Sequence, residues 1–190
     1  MIDVGSPRAG RLVGMSRCVA FLRAVNVGGR TVKMELLRSA FEALALTNVE
    51  TFIASGNVIF DSRARDHAAL ERKIEAQLLA RFGFEIHTFV RTLDGVAAVA
   101  AHPVFDTPAQ TQVVGFLRDA PTPAALQAVE RLSTDTDRLQ VQGRELFWVS
   151  ENRQSESVFS NAAFERALDM RSTFRGLSTL RKLVARHAAD

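Results

Sequence analysis

Cysteine is nearly absent from this chain of 190 residues, which has only Cys18. A single cysteine excludes an intramolecular disulfide and a cysteine-rich metal site. Cys18 lies in an apolar stretch, and we expect a small core residue there instead of a catalytic thiol. No apolar run approaches the ~18 residues that a membrane-spanning helix needs, so no membrane partner is predicted.

Residues 1–14 lack the apolar block of a secretory signal peptide. We expect them to form a mobile tail, and Met15 is an alternative start of translation to Met1. The missing leader and the missing disulfide together predict a cytoplasmic protein.

Lysine is also scarce, occurring only at positions 33, 73 and 182, although the net charge is +3. The remaining positive charges are arginines, which suit bidentate binding of phosphate or carboxylate. No long run of one charge sign indicates a nucleic-acid-binding tail. Hydrophobic residues make up 47% of the chain, enough for an ordinary core.

The first half alternates strand and helix patterns. An apolar strand at 17–25 is followed by a helix with Met34, Leu37, Phe41 and Leu44 at helical spacing. Two β-rich runs flank Ser55-Gly56-Asn57, which predicts a hairpin turn. Asp66 is the expected N-cap of the next helix, Gly83 its stop, and a strand at 84–91 follows. The order βαββαβ is typical of a ferredoxin-like split βαβ unit.

The second half repeats this order in shorter form. Phe-Leu-Arg at 21–23 recurs at 116–118, and Gln142-Gly143-Arg144 predicts a second hairpin. Helices are predicted near 158–169 and 176–188. We therefore predict an α+β fold of two ferredoxin-like (split βαβ) halves packed together, 15–108 and 109–190, the second abbreviated and ending in C-terminal helices.

Topology places a candidate site in the first half. In a split βαβ unit strands one and two run parallel, so the loop after strand one and the Ser55-Gly56-Asn57 turn share one end of the sheet. A helix starting near Thr31 or Val32 would add free N–H groups for an anion. The candidate ligand-binding residues are Arg23, Asn26, Gly28, Gly29, Arg30, Lys33, Ser55, Gly56 and Asn57. The alternative is that Gly28-Gly29 only permits a tight turn and that the basic residues face water.

Arg171, Thr173 and Arg175 form a second candidate anion site, with Thr173 as the expected helix N-cap. The alternative is a basic amphipathic helix that packs its leucines inward. The same basic segment also fits a nucleic-acid-binding module, which is the second hypothesis for the function. Phe21, Phe52 and Phe60 are expected in the core and not as base-stacking platforms. The first hypothesis is the binding, with or without turnover, of a small anionic ligand. The third hypothesis is a protein-interaction or scaffold role.

No sequence motif indicates a cofactor or a metal. The four histidines lack metal-ligand spacing, and no P-loop, dinucleotide-binding motif or nucleophile elbow occurs. The sequence therefore assigns no catalytic residue.

Four segments are similar to those of a known family. Residues 19–29 resemble its opening pattern ALLRGINVGG, and residues 52–60 resemble its hairpin YIQSGNVVF. Phe159-Ser160-Asn161 and residues 171–175 resemble its C-terminal segments FTN and TTRN. The chain thus resembles the domain of unknown function 1697 family from about Met15 to His187, although Ala24, Ala54 and Gly176 depart from the pattern. The resemblance implies a ferredoxin-like fold and no particular reaction.

Overall fold

A computed structural model describes residues 14–23, 25, 31–53 and 56–187. Residues 1–13 of the predicted tail lie outside these ranges. The strands are β1 (Ser16–Leu22), β2 (Thr47–Phe52), β3 (Asn57–Ser62), β4 (Thr88–Thr92), β5 (Thr111–Leu117), β6 (Asp137–Gln142), β7 (Glu145–Ser150) and β8 (Ser172–Gly176). The α-helices are α1 (Met34–Glu42), α2 (His67–Phe82), α3 (Leu93–Ala100), α4 (Pro123–Glu130), α5 (Asn161–Leu168) and α6 (Leu177–His187), with a 3-10 turn at Pro103–Phe105.

Local sequence signals fix the helix ends of the first half. Asp66 caps α2 by accepting a hydrogen bond from the Ala69 backbone N–H at 2.9 Å. Gly83 ends that helix with a left-handed φ of 76°. Both predicted boundaries are confirmed. The start of α1 differs from the prediction because Lys33 keeps an extended backbone (φ −65°, ψ 135°) and the helix begins at Met34.

The first sheet has the strand order β2-β3-β1-β4. β1 and β2 both run antiparallel to β3 and are therefore parallel to each other. Phe21 lies opposite Asn57, and the Leu22 backbone N–H donates to the Gly56 carbonyl oxygen at 2.8 Å. The end of β1 and the Gly56–Asn57 side of the turn thus share one end of the sheet, as predicted, whereas residues 26–30 and 54–55 of the predicted meeting lie outside the described residues.

The second sheet repeats the pattern, with order β6-β7-β5-β8. The sequence analysis did not predict β8. The prediction of Thr173 as a helix N-cap was wrong, because Thr173 lies in β8 and α6 starts only at Leu177. A strand of five residues carries a weak local signal, and pairing with β5 supplies its hydrogen bonds. The second half is nevertheless the shorter one, since α5 has 8 residues where α2 has 16.

The inner faces of the two sheets pack against each other. Phe21 and Phe116 stack at the centre with ring centroids 4.1 Å apart. α3 and α6 complete this central core, whereas α1 with α2 and α4 with α5 cover the outer faces. Phe21, Phe52 and Phe60 are buried, as predicted. No helix in the described part of the chain is long and apolar enough to cross a bilayer.

The central strands of the two halves correspond in register. Val19 in β1 lies opposite Arg91 in β4, and Val114 in β5 lies opposite Arg175 in β8. We use "first edge" for the end of the first sheet where β1 and β2 terminate, with the Ile53–Asn57 turn and the start of α1. The "second edge" is its counterpart, where β5 and β6 terminate, with the turn before Glu145 and the start of α4.

Candidate ligand-binding edge

Gly56 allows the hairpin turn to approach the end of β1. Its φ is +76°, in the region that favours glycine. A Cβ there would lie 3.0 Å from Val25 Cγ2 and 3.2 Å from Leu22 Cβ. Glycine is therefore required both for the backbone conformation and for the close contact that brings Asn57 beside β1.

Arg175 reaches across from β8 to this turn. Its Nε donates to Asn57 Oδ1 at 2.6 Å, and one terminal nitrogen donates to the Leu22 and Gly56 carbonyl oxygens at 2.8 and 3.3 Å. The other terminal nitrogen donates to Thr173 Oγ1 and to the Phe174 carbonyl at 2.9 and 2.8 Å. The structure thus joins two candidate sites that the sequence analysis treated separately.

The guanidinium of Arg175 is buried and still charged at neutral pH. It lies over the Phe21 ring, 5.6 Å from the centroid. Burial lowers the pKa of Arg175 to about 10. The five oxygens that accept the hydrogen bonds given above are neutral, and they fix the orientation of the guanidinium.

Arg23, at the end of β1, is held by the second half. It donates to the Ser172 carbonyl oxygen at 2.8 Å and forms an ion pair with Glu165. The same Glu165 oxygen accepts the Ser172 backbone N–H at 2.7 Å. Partial burial, and then the charge of Arg171, lower the pKa of Arg23. Arg171 itself is exposed, with its guanidinium 3.8 Å from Glu165.

These arginines have counterparts that cross in the opposite direction. Arg91 in β4 donates to Glu145 Oε1 at 2.6 Å and to the Leu117 carbonyl at 2.7 Å, and it lies 5.5 Å from the Phe116 centroid. Arg118, after β5, pairs with Glu75 of α2. Arg175 and Arg23 therefore hold the two halves together, and Arg91 and Arg118 do the same from the opposite side.

The two edges differ in charge at one matched position. Glu145 begins β7 and faces Arg91, whereas Asn57 begins β3 and faces Arg175. Glu71 brings a second carboxylate near Arg91, with its Oε1 3.9 Å from Arg91 Nη1. The Arg91 contact thus carries a carboxylate, whereas the Arg175 contact carries a neutral amide at the matched position.

The N-termini of α1 and α4 also differ between the two edges. Thr122 caps α4 by accepting from the Ala125 N–H at 3.3 Å, and Pro123 occupies its first position. Lys33, the N-cap of α1, makes no side-chain capping bond and is exposed. The positive end of the α1 dipole therefore lies at the first edge, where the first turn of the helix has Lys33 and Glu35 as charged neighbours.

Residues 15–147 match the family described as "Protein of unknown function (DUF1697)". This chain belongs to the DUF1697 family. A solved structure of a conserved bacterial protein from Streptococcus pneumoniae shares its fold, with a TM-score of 0.70, 24% sequence identity, and coverage of 90% of this chain and 97% of that one. No curated protein is significantly similar to the chain.

Several predicted site residues of this DUF1697 chain lie outside the described residues, namely Asn26, Gly28, Gly29, Arg30 and Ser55. Their roles stay predictions. Of the others, Arg23, Gly56, Asn57, Thr173 and Arg175 are connected by hydrogen bonds around the end of β1, and Lys33 lies at the start of α1.

Sequence reasoning missed Glu165 and Ser172, which hold Arg23. The recurring Phe-Leu-Arg was the available signal, because it pairs Arg23 with Arg118, but nothing in it identifies their carboxylate partners. Among the described residues, no group of three or more His, Cys, Asp or Glu side chains is arranged to hold a metal ion.

Proposed function

We propose that this DUF1697 chain binds a small anionic ligand, a phosphate or carboxylate compound, at the first edge. The observation that carries the proposal is the neutral amide of Asn57 beside the buried guanidinium of Arg175. At the second edge the matched arginine faces the carboxylate of Glu145. This difference between the two matched contacts supports an anion at the first edge, where Arg175 lies beside a neutral amide.

Burial makes this charge effective. A guanidinium surrounded by protein is screened less by water than an exposed one, so its field acts over a longer distance. The N-terminus of α1 and the Lys33 ammonium contribute the same sign at the same end of the sheet. Together they favour an anion near the loop that connects β1 to α1.

The described residues divide into two roles under this proposal. Arg23 and Arg175 are already hydrogen-bonded across the two halves, so they fix the shape and potential of the edge. Under the proposal, Lys33 and the first N–H groups of α1 contact the anion. Asn26, Gly28, Gly29 and Arg30 stay sequence-based candidates for the same contact. The proposal concerns binding and assigns no reaction.

The test is a titration with inorganic phosphate, acetate, AMP and glucose 6-phosphate, followed by amide NMR shifts. We expect the Gly56 and Asn57 amides to shift, and the Gly143 and Glu145 amides of the second edge to stay in place. Asn57→Asp adds a carboxylate near Arg175. A unit charge ~8 Å from the anion, at an effective dielectric constant of ~20, should weaken binding roughly thirty-fold.

Gln154→Glu is the matched control. It adds the same charge at an exposed position beyond the far end of β7, away from both edges. This variant should bind like the wild type. If no anion shifts the Gly56 and Asn57 amides, or if both variants bind like the wild type, the proposal is wrong.

A further inference from the structure

A shallow groove lies between α3 and α6 on their solvent side. Its volume is about 340 Å³ and its surface is almost entirely apolar. Each helix contributes one wall, made of residues three and four positions apart, which lie on one helical face. The lining residues are Ala97, Ala100 and Ala101 on the α3 side and Arg181, Val184 and Ala185 on α6. We name this feature the α3–α6 groove.

The two walls of the α3–α6 groove occupy matched positions of the two halves. α3 directly follows β4 and α6 directly follows β8. Counted from the ends of these strands, the three residues of the α3 wall correspond one by one to those of the α6 wall. α3 has alanine at the positions of Arg181 and Val184. These alanines open the groove, because side chains as large as those of α6 would fill it.

The α6 side of the groove is cationic. Arg186 of this helix lies 3.9 Å from Glu50, whereas the exposed Arg181 and Lys182 have no acidic partner among the described residues. α6 itself contains no acidic residue. Asp94, the only charged residue of α3, lies in its first turn and does not line the groove. The groove therefore presents an apolar floor with positive charge on one side.

Charge and shape favour an acidic amphipathic helix as the occupant. A second copy of the chain would bring two cationic faces together, which costs free energy. A membrane is disfavoured because the large exposed apolar side chains of the described residues all lie away from α3 and α6, at Leu36, Ile53, Leu79 and Val158. A shallow groove would leave a small molecule largely exposed, whereas ligand pockets bury most of their ligand.

We propose that the α3–α6 groove is a docking site for a partner protein, which lays one helix with an apolar face and acidic flanks into it. The alanines of α3 let the backbone of this third helix approach closely. Its apolar side chains, three and four positions apart, fill the groove, and its carboxylates pair with Arg181 and Lys182. This docking site is independent of the anion site at the first edge.

Two synthetic peptides of about 16 residues test the proposal, with the same leucine and alanine face and with either glutamate or lysine on both flanks. Fluorescence anisotropy measures their affinity for the full chain. The glutamate peptide should bind at least about tenfold more tightly, because only its flanks attract the cations of α6. Equal affinity, a preference for the lysine peptide, or no binding by either peptide would overturn the proposal.

Two variants with matched controls locate the peptide. Ala185→Gln places a longer polar side chain in the groove and should weaken binding of the glutamate peptide about tenfold. Arg181→Gln removes one cation and should weaken it about fivefold. The controls Ala80→Gln and Arg72→Gln make the same changes at exposed positions of α2 and should bind like the wild type. Binding that survives Ala185→Gln, or that Ala80→Gln weakens equally, contradicts docking in the groove.

The other two macromolecular occupants are tested with the same variants. Phosphatidylserine vesicles should not bind the full chain, and any self-association seen by sedimentation should be unaffected by Ala185→Gln. Vesicle binding that both Ala185→Gln and Arg181→Gln weaken would assign the groove to a membrane surface. A dimer that Ala185→Gln dissociates would assign it to a second copy of the chain. Either result would overturn the proposal.

Discussion

Replacing Gly56 by alanine should destabilise the chain much more than replacing Gly83, although both glycines have a φ of +76°. Alanine in the left-handed region costs about 1–2 kcal/mol at either position. A Cβ at Gly83 meets nothing within 4 Å, so this backbone cost is the whole expected effect there.

At Gly56 the new methyl group would also press against Val25 Cγ2 at 3.0 Å and Leu22 Cβ at 3.2 Å. Both neighbours are buried, and Leu22 also hydrogen-bonds to Gly56 and accepts from Arg175. Overpacking of this kind costs about 1–3 kcal/mol more. We therefore expect a total loss of about 2–5 kcal/mol in the free energy of unfolding for Gly56→Ala.

Urea unfolding followed by circular dichroism measures both variants under the same conditions. The difference between them isolates the close approach, because both glycines have the same φ. If Gly56→Ala costs no more than Gly83→Ala, the turn does not need to approach β1 so closely. The described geometry of the first edge would then be wrong.

Two further predictions concern strain and pH. Ile53 has a positive φ, which β-branched residues rarely adopt. Ile53→Asn should raise the free energy of unfolding by about 1 kcal/mol, because asparagine tolerates a positive φ. Val158→Asn, which relieves no such strain, should not raise it, and equal effects in urea unfolding would contradict the strain at Ile53. Burial raises the pKa of Glu71 above 4.5, although the Val90 N–H and Arg91 oppose the shift; Glu71 Oε2 has no hydrogen-bond partner among the described residues. Because burial raises the pKa of Glu71 in the folded state, the protonated carboxyl group contributes its full stabilisation below pH 4.5. This contribution is lost as the pH rises through the pKa of Glu71 in the folded state. The stability of the wild type minus that of Glu71→Gln should therefore fall from acidic to neutral pH, and a difference that is constant with pH would refute this assignment.

Several features followed from local sequence because their physical causes are local. Asp66 caps α2 with its own side chain, Gly83 supplies a left-handed φ, and the Gly56 turn joins two adjacent β-rich runs. The strand and helix order then restricted the first half to a split βαβ unit. That topology sufficed to predict that the end of β1 meets the turn at Asn57.

Tertiary structure decided which distant groups meet. Arg175 and Asn57 are 118 residues apart and face each other only because the two sheets pack through Phe21 and Phe116. Carbonyl oxygens such as that of Leu22 can accept from any cation, so sequence does not indicate which arginine reaches them. For the same reason β8 escaped prediction, since its strand conformation depends on pairing with β5. The sequence by itself determined most of the elements and the edge where the site was predicted, whereas the packing of the halves determined which arginines, carbonyl groups and carboxylates meet there.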